Sequence, residues 1–541
     1  MLRRNYHRCN NNDMERYCRS SIIVVSLQLL VLLLTSRSSS LAFVIVIPTA
    51  TTTITTTTSN HQHVQISGYK YNYYNYDYRS NMAQKHFSST TSSLSSNRYM
   101  SKYDSDPLPN TDTEDDESVD VIVIGSGLAG LSCAALLSHC HKRVVVLESH
   151  DIPGGCAHSW ERRGYHFESG PSLYSGFSTD TSPNPLKNIF QIVQEDCDWL
   201  TYDRWGTVLP NGKKFAAKIG PEEFQNVLLE HGGPNATTEF AMVMERMQPI
   251  SDAAQALTSM ALREDIGVVL TLLLRYPKEV FMTLSQGSQL TKPFASIMEE
   301  LNIQDAFVKN WLDMLCFLLQ GLPASGTLNI VMAYMLADWY RPGVTLDYPK
   351  GGSGAIVDTL VRAIRKNAHY GTVTMNSHVD EIIVEQNKAV GVRLRGSNTI
   401  IRAKQAIVSN ADPYITSHLL RAARTHGSLS NAAIEFLNQL TRTDSETTGD
   451  GRSDLRSFIH LHAGINGTGL PTIPNADFPA QWAVIRNWDG PLGVEDPRNI
   501  VLCSVPSLLD PNMAPEGNHV IHAYTPATEP CEFVEKNKCP A

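Results

Sequence analysis

The sequence predicts an α/β fold: a Rossmann-type dinucleotide-binding domain with an inserted second domain of mixed sheet and helices. Three stretches carry this prediction. "VDVIVIGSGLAGLSCAALLSHCHKRVVVLES", residues 119–149, reads as strand, tight turn, helix, strand. "YPKGGSGAIVDTLVRAI", residues 348–364, opens another helix on paired glycines far downstream. Between them, residues 236–340 carry a mostly helical pattern with long apolar blocks.

Composition narrows the class. A chain of 541 residues suggests two or three folded units. Its 42% hydrophobic and 18% charged residues are ordinary for a globular protein, and a net charge of −9 argues against nucleic acid as the main partner. The ten cysteines are scattered without a C-x-x-C pair, so neither a disulfide framework nor a zinc site is expected, and a reducing compartment fits best.

The first 118 residues read as targeting sequence and linker, with a disordered stalk behind a signal anchor as the alternative. Arg3, Arg4, Arg8, Arg16 and Arg19 precede the apolar run "IIVVSLQLLVLLL", residues 22–34, which is short for a membrane span. Residues 1–43 therefore read as a signal peptide ending near "SLAF". From Val44 to Tyr103 the chain is rich in Thr, Ser, Asn and Tyr, with Asp77 its only acid, as in transit peptides. The tandem arrangement resembles the bipartite plastid presequence of algae with secondary plastids. "SDPLPNTDTEDDES" then reads as a solvated linker, so 44–118 is expected to be transit peptide and disordered linker.

The nucleotide motif follows. Val121 to Ile124 is a β-branched run suited to a buried parallel strand. Gly125, Gly127 and Gly130 form G-x-G-x-x-G: the first permits the turn, the second lets backbone approach a pyrophosphate, and the third lets helix and strand pack closely. The helix from Leu131 presents its N-terminus to the phosphates. Glu148, closing the strand "RVVVLE", is placed to accept ribose hydroxyls. Beyond it, "SHDIPGGCAHSW" breaks the pattern with a proline and the pair Gly154–Gly155, where backbone can approach a longer dinucleotide again.

These segments together resemble the flavin-dependent amine oxidase and phytoene desaturase superfamily, and within it the carotenoid isomerase group, with a further likeness to retinol saturases. The resemblance rests on "GGCAHSWERRGYHFESGPSLYSGFS", "YPKGGSGAIVDTLVRAI", "GTVTMNSHVDEIIVEQNKAVGVRL", "AKQAIVSNADP", "SFIHLHAGI" and "HVIHAYTPATEP", and runs from Val119 to Glu532. It implies FAD as the cofactor, held by Gly125, Gly127, Gly130, Glu148, Gly154 and Gly155, with Val379 at a backbone contact near the adenine. Members of the family close with a strand and a Gly-Asp loop touching the flavin, then a long helix. This chain stops at "CEFVEKNKCPA" without that motif, so it is expected to be truncated before the last FAD segment.

On this plan residues 119–190 and 341–425 form the FAD-binding domain, 191–340 a helical substrate or membrane-associated part, and 426–541 the sheet part of the substrate domain. "RWGTVLPNGKKFAAKI" reads as a hairpin. The apolar blocks at 266–284 and 307–340 read as buried core helices, or as walls of a lipid tunnel touching a membrane. His460 and His462 lie two apart in a strand-like run and share a face; with no third ligand nearby, hydrogen-bonded histidines are expected and no metal. Glu168, Arg162 and Arg163 fall near the expected flavin, where an acid–base or phosphate role or a plain surface ion pair is open.

The resemblance implies an enzyme whose flavin performs the chemistry while protein supplies binding, orientation and electrostatics. The substrate expected is a C40 carotenoid or similar polyene, met through peripheral membrane association in the plastid, with no nucleic acid partner. Redox-neutral cis–trans isomerisation is the favoured reaction. Desaturation or saturation on the same fold is the alternative, and a truncated lipid- or partner-binding paralogue is the reading outside catalysis. No residue can be assigned a catalytic role from the sequence.

Overall fold

A computed structural model describes residues 45–48, 104–109, 119–169, 173–179, 184–259, 277–366, 368–396, 399–440, 457–475, 477–488, 493–496 and 499–527. The signal peptide and nearly all of the transit segment lie outside the described residues.

Strands are numbered in chain order. The central sheet contains Ile45–Pro48 (β1), Val119–Ile124 (β2), Val144–Leu147 (β3), Gly371–Thr374 (β11), Val379–Glu385 (β12), Lys388–Leu394 (β13) and Ile400–Ser409 (β14). Its order is β11-β3-β2-β14-β13-β12, with β1 antiparallel to β14. The four strands β11, β3, β2 and β14 are parallel; β13 and β12 continue the sheet antiparallel. Apolar residues at successive positions of β2 serve both faces. Val121 and Val123 pack with the helices Leu128–His139 and Ser353–Arg365, while Ile122 and Ile124 pack with Val379, Ile382 and Leu419 on the other side. The helix Leu128–His139 is apolar nearly all round because it is buried from Gly130 to Ser138.

Part of the expected linker is pinned to this sheet. Asp106 bonds Arg365 Nε at 2.8 Å and accepts the Val373 amide at 2.7 Å, and Arg365 also donates to the Asp104 carbonyl. Within the span read as transit peptide and linker, residues 104–109 and β1 are thus held to the sheet: an acid inside an acidic stretch meets a guanidinium on the helix it passes.

The second unit is a six-stranded sheet of Ser457–Asn466 (β15), Asn518–Ala527 (β18), Ile500–Ser504 (β17), Gln481–Ile485 (β16), Arg204–Val208 (β8) and Lys214–Lys218 (β9), paired in that order. The helices Pro221–His231, Ala236–Ser259, Ala306–Gln320 and Asn329–Trp339 share one core with it, around Trp205, Trp311 and Trp339. Two smaller sheets join the units. One pairs Tyr174–Ser175 (β6) and Trp199–Tyr202 (β7) with the buried Leu346–Pro349 (β10); the other is the hairpin Ser159–Arg162 (β4) and Tyr165–Glu168 (β5). Among the described residues, no helix is long and apolar enough to cross a membrane.

Candidate dinucleotide-binding site

The site forms where β2 ends. Gly125 turns the chain at φ +92°, a conformation that side chains rarely adopt, and its amide donates to the Leu147 carbonyl at 2.8 Å. The helix beginning at Leu128 has Gly127 as N-cap, no side-chain cap and no acid in its first turn. Its first amides therefore have no partner within the helix, and the helix dipole favours an anion there. Gly130 sits where the helix crosses the turn: a Cβ on it would lie 2.3 Å from the Gly125 carbonyl oxygen.

Glu148, only 8% exposed, leaves β3 pointing at this loop. Its Oε2 accepts the Ser126 amide at 2.8 Å and the Ser126 hydroxyl at 2.5 Å; Oε1 accepts the His150 amide at 2.8 Å and the Ser149 hydroxyl at 3.2 Å. The carboxylate is thus both the acid expected at a ribose and the brace of two loops.

Gly154 and Gly155 lie directly against the first glycine loop. Gly154 has φ +116°, donates to the Ser126 carbonyl at 3.0 Å and forms a parallel bridge with Gly127. A Cβ on Gly155 would lie 3.1 Å from Gly127 Cα. Val379 begins β12 and is buried beside Ile124 and Leu147; the Ser377 amide just before it donates to the Glu148 carbonyl at 2.7 Å. All seven residues singled out from the sequence therefore gather at one end of the parallel sheet.

Asn410 was not among them. It follows β14, its amide donates to the Ile124 carbonyl at 2.8 Å, and its carboxamide lies over Gly127 and Gly130. Its Oδ1 is buried without a hydrogen-bond partner. The quoted "SNADP" was the available signal, but only the crossover from β14 to β2 shows which loop it meets.

Glu168, Arg162 and Arg163 are not brought together. Both arginines are exposed at the turn between β4 and β5, whereas Glu168 is buried at the start of the helix Ser353–Arg365. It accepts the Tyr348 hydroxyl at 2.7 Å and the Ser353 amide. Burial pushes its carboxyl above the usual carboxylate range, against the opposing effect of those hydrogen bonds. The folded chain consequently holds this proton more tightly than the unfolded chain. The stability that results is complete below the ordinary value of 4.5 and is lost as pH rises through the raised one. Glu168→Gln should flatten that decline in urea melts recorded as a function of pH; an unchanged slope would refute the assignment.

A second cluster lies on the six-stranded sheet. His460 and His462 share a face of β15, and His522 of β18 stands opposite His462. This corrects the expectation that no third histidine is near: the third comes from a strand paired across the sheet, which spacing along the chain does not reveal. His460 Nδ1 and His522 Nε2 are 2.9 Å apart, so a hydrogen bond is also present. Burial holds all three imidazoles below the ordinary histidine range, His522 down to about 3.

A parallel sheet, a glycine turn onto an uncapped helix and an acid ending the next strand define a Rossmann-type dinucleotide-binding protein. A family model for an NAD(P)-binding Rossmann-like domain matches residues 123–193. The chain is 28% identical over 410 residues to the chloroplastic prolycopene isomerase of Daucus carota, covering 75% of this chain and 61% of that protein. It is 26% identical over 427 residues to a neurosporene-forming phytoene desaturase of Cereibacter sphaeroides, covering 75% and 72%. An oxidoreductase structure from Methanosarcina mazei aligns with a TM-score of 0.51 at 18% identity, over 77% of this chain and 81% of that one, a likeness of fold. The chain is thus similar to prolycopene isomerases and a phytoene desaturase, and it carries a match to an NAD(P)-binding Rossmann-like domain. It spans less than two thirds of the length of the prolycopene isomerases it matches.

Proposed function

We propose that the chain is the dinucleotide-binding and substrate-facing part of an FAD-dependent enzyme that isomerises a C40 polyene without net redox change. The observation that carries this reading is the likeness to a prolycopene isomerase over three quarters of the chain, 75%. The site's chemistry suits the cofactor. Uncapped amides at Leu128 and Ala129 would hold the diphosphate, Glu148 the ribose, and the Gly154–Gly155 backbone the portion beyond it. Val379 would flank the adenine, and the orphan Asn410 Oδ1 offers an acceptor beside the loop. A bound flavin supplies reversible exchange of charge or protons with a conjugated chain. Delivery to the plastid and peripheral contact with its membranes belong to the same reading.

The match to a phytoene desaturase favours a second reading, net oxidation or reduction of the polyene on the same scaffold. Anaerobic turnover separates the two. A chain extended to the full length of the prolycopene isomerases it matches, supplied with pre-reduced FAD and a cis-carotenoid, is expected to convert many equivalents without consuming further reductant. One product per reduced flavin, differing from substrate by two hydrogens, would replace isomerisation with the redox reaction.

A further inference from the structure

We infer that His460, His462 and His522 form a binding site for a divalent transition-metal ion of borderline softness, with Zn²⁺ as its representative. The inference does not rest on the flavin reading, because none of the three belongs to the dinucleotide loops. The antiparallel register of β15 and β18 sets His462 opposite His522, and His460 stands two residues away on the same face. One ring nitrogen from each can be chosen so that all three lie within 4.8 Å of one another. Tetrahedral Zn²⁺ with Zn–N bonds of about 2.0–2.1 Å wants its donors roughly 3.3 Å apart. The His460–His522 pair is already at 2.9 Å, and His460 is exposed.

A purely hydrogen-bonded trio explains less. Among the described residues, the buried Nδ1 of His462 has no hydrogen-bond partner, and His522, whose Nε2 faces His460, is 1% exposed. Buried ring nitrogens are costly to leave unmet, and a shared cation supplies what the protein does not. Uncharged imidazoles are the form that binds such ions, and imidazole suits Zn²⁺ and its neighbours rather than Mg²⁺ or Ca²⁺. Trp160 and Phe167 pack on His462, with ring centroids at 4.9 and 6.0 Å, and wall one side. Three protein donors would leave a fourth tetrahedral position for water or another ligand.

The test titrates the EDTA-treated, dialysed full chain with ZnCl₂ by calorimetry, and with CoCl₂ while the visible absorption of Co²⁺ is followed. A single equivalent should bind, with the intense visible bands of four-coordinate Co²⁺. His460→Ala should weaken binding by roughly tenfold or more, and His460→Ala combined with His462→Ala should abolish it, while the distant His141→Ala leaves it unchanged. Circular dichroism establishes that each variant is folded. Should the double variant not fold, the exposed His460→Ala and the wild-type Co²⁺ spectrum decide the matter. Absence of binding at micromolar Zn²⁺, or binding indifferent to His460→Ala, would overturn the site.

Discussion

Gly130→Ala should lower the stability of the chain by about 1–3 kcal/mol, the usual cost of overpacking, and remove its ability to retain a dinucleotide. The added Cβ would stand 2.3 Å from the Gly125 carbonyl oxygen and 3.0 Å from Asn410 Nδ2. The first neighbour is backbone, held in place by the Gly125 amide bonded to the Leu147 carbonyl at 2.8 Å, so it cannot swing aside. The helix must lift away from the turn instead. Its first amides then no longer converge where a phosphate would lie, so affinity falls with stability. Gly287→Ala is the matched control. It lies inside the helix Pro277–Leu290 with nothing among the described residues within 4 Å of the added carbon, and there alanine should stabilise by about 0.5–1 kcal/mol. Urea melts and flavin retention on both variants give the comparison. Wild-type retention by Gly130→Ala would mean that the helix terminus is not the phosphate site.

What sequence pattern can and cannot show is visible at this same loop. Three glycines at fixed offsets, a β-branched strand before them and an apolar helix after them are local signals, and they specify the turn from residues within reach of one another. The bracing of that turn is not local. Ser126 meets Glu148 across 22 positions, and only the parallel pairing of β2 with β3 sets the distance between them. Asn410 reaches the loop from β14, which becomes a neighbour of β2 only when the long insertion folds apart from the sheet.

The same limit governs the other two polar clusters. Period-two spacing places His460 and His462 on one face, but no pattern names the strand beside them, and so His522 stayed out of sight. Glu168 read as one of three charges near the cofactor because it follows Arg162 and Arg163 closely. The hairpin turns the arginines outward while β5 carries Glu168 inward to Tyr348, 180 positions away. Burial, which decides whether a carboxylate is a surface charge or a raised, hydrogen-bonded acid, is a tertiary property.

Glu148→Ala should weaken dinucleotide binding by about 1.5–3 kcal/mol, the range for a hydrogen bond to a charged group, and destabilise the free chain as well. The second effect follows from what Glu148 already holds. Removing its carboxylate strips the acceptor from the amides of Ser126 and His150, and Ser126 is fully buried at 0% exposed. A buried amide left unmet costs about 1–3 kcal/mol. The Ser126 carbonyl also receives the Gly154 amide, so loosening Ser126 disturbs both glycine loops together. Loss of affinity alone would therefore be ambiguous, and Ser126→Ala resolves it. That variant removes the hydroxyl at 2.5 Å from Oε2 and its long 3.4 Å contact with the Gly154 amide, which keeps its bond to the Ser126 carbonyl, at a cost of about 1 kcal/mol in stability, and opens a lone pair of the carboxylate to an incoming hydroxyl. If Glu148 receives the ribose, flavin affinity in Ser126→Ala should equal or exceed that of the wild type, while Glu148→Ala loses it. If Glu148 is only a brace, both variants should lose affinity in proportion to their loss of stability. Flavin Kd from fluorescence quenching, set against urea melts of the same preparations, distinguishes the two outcomes.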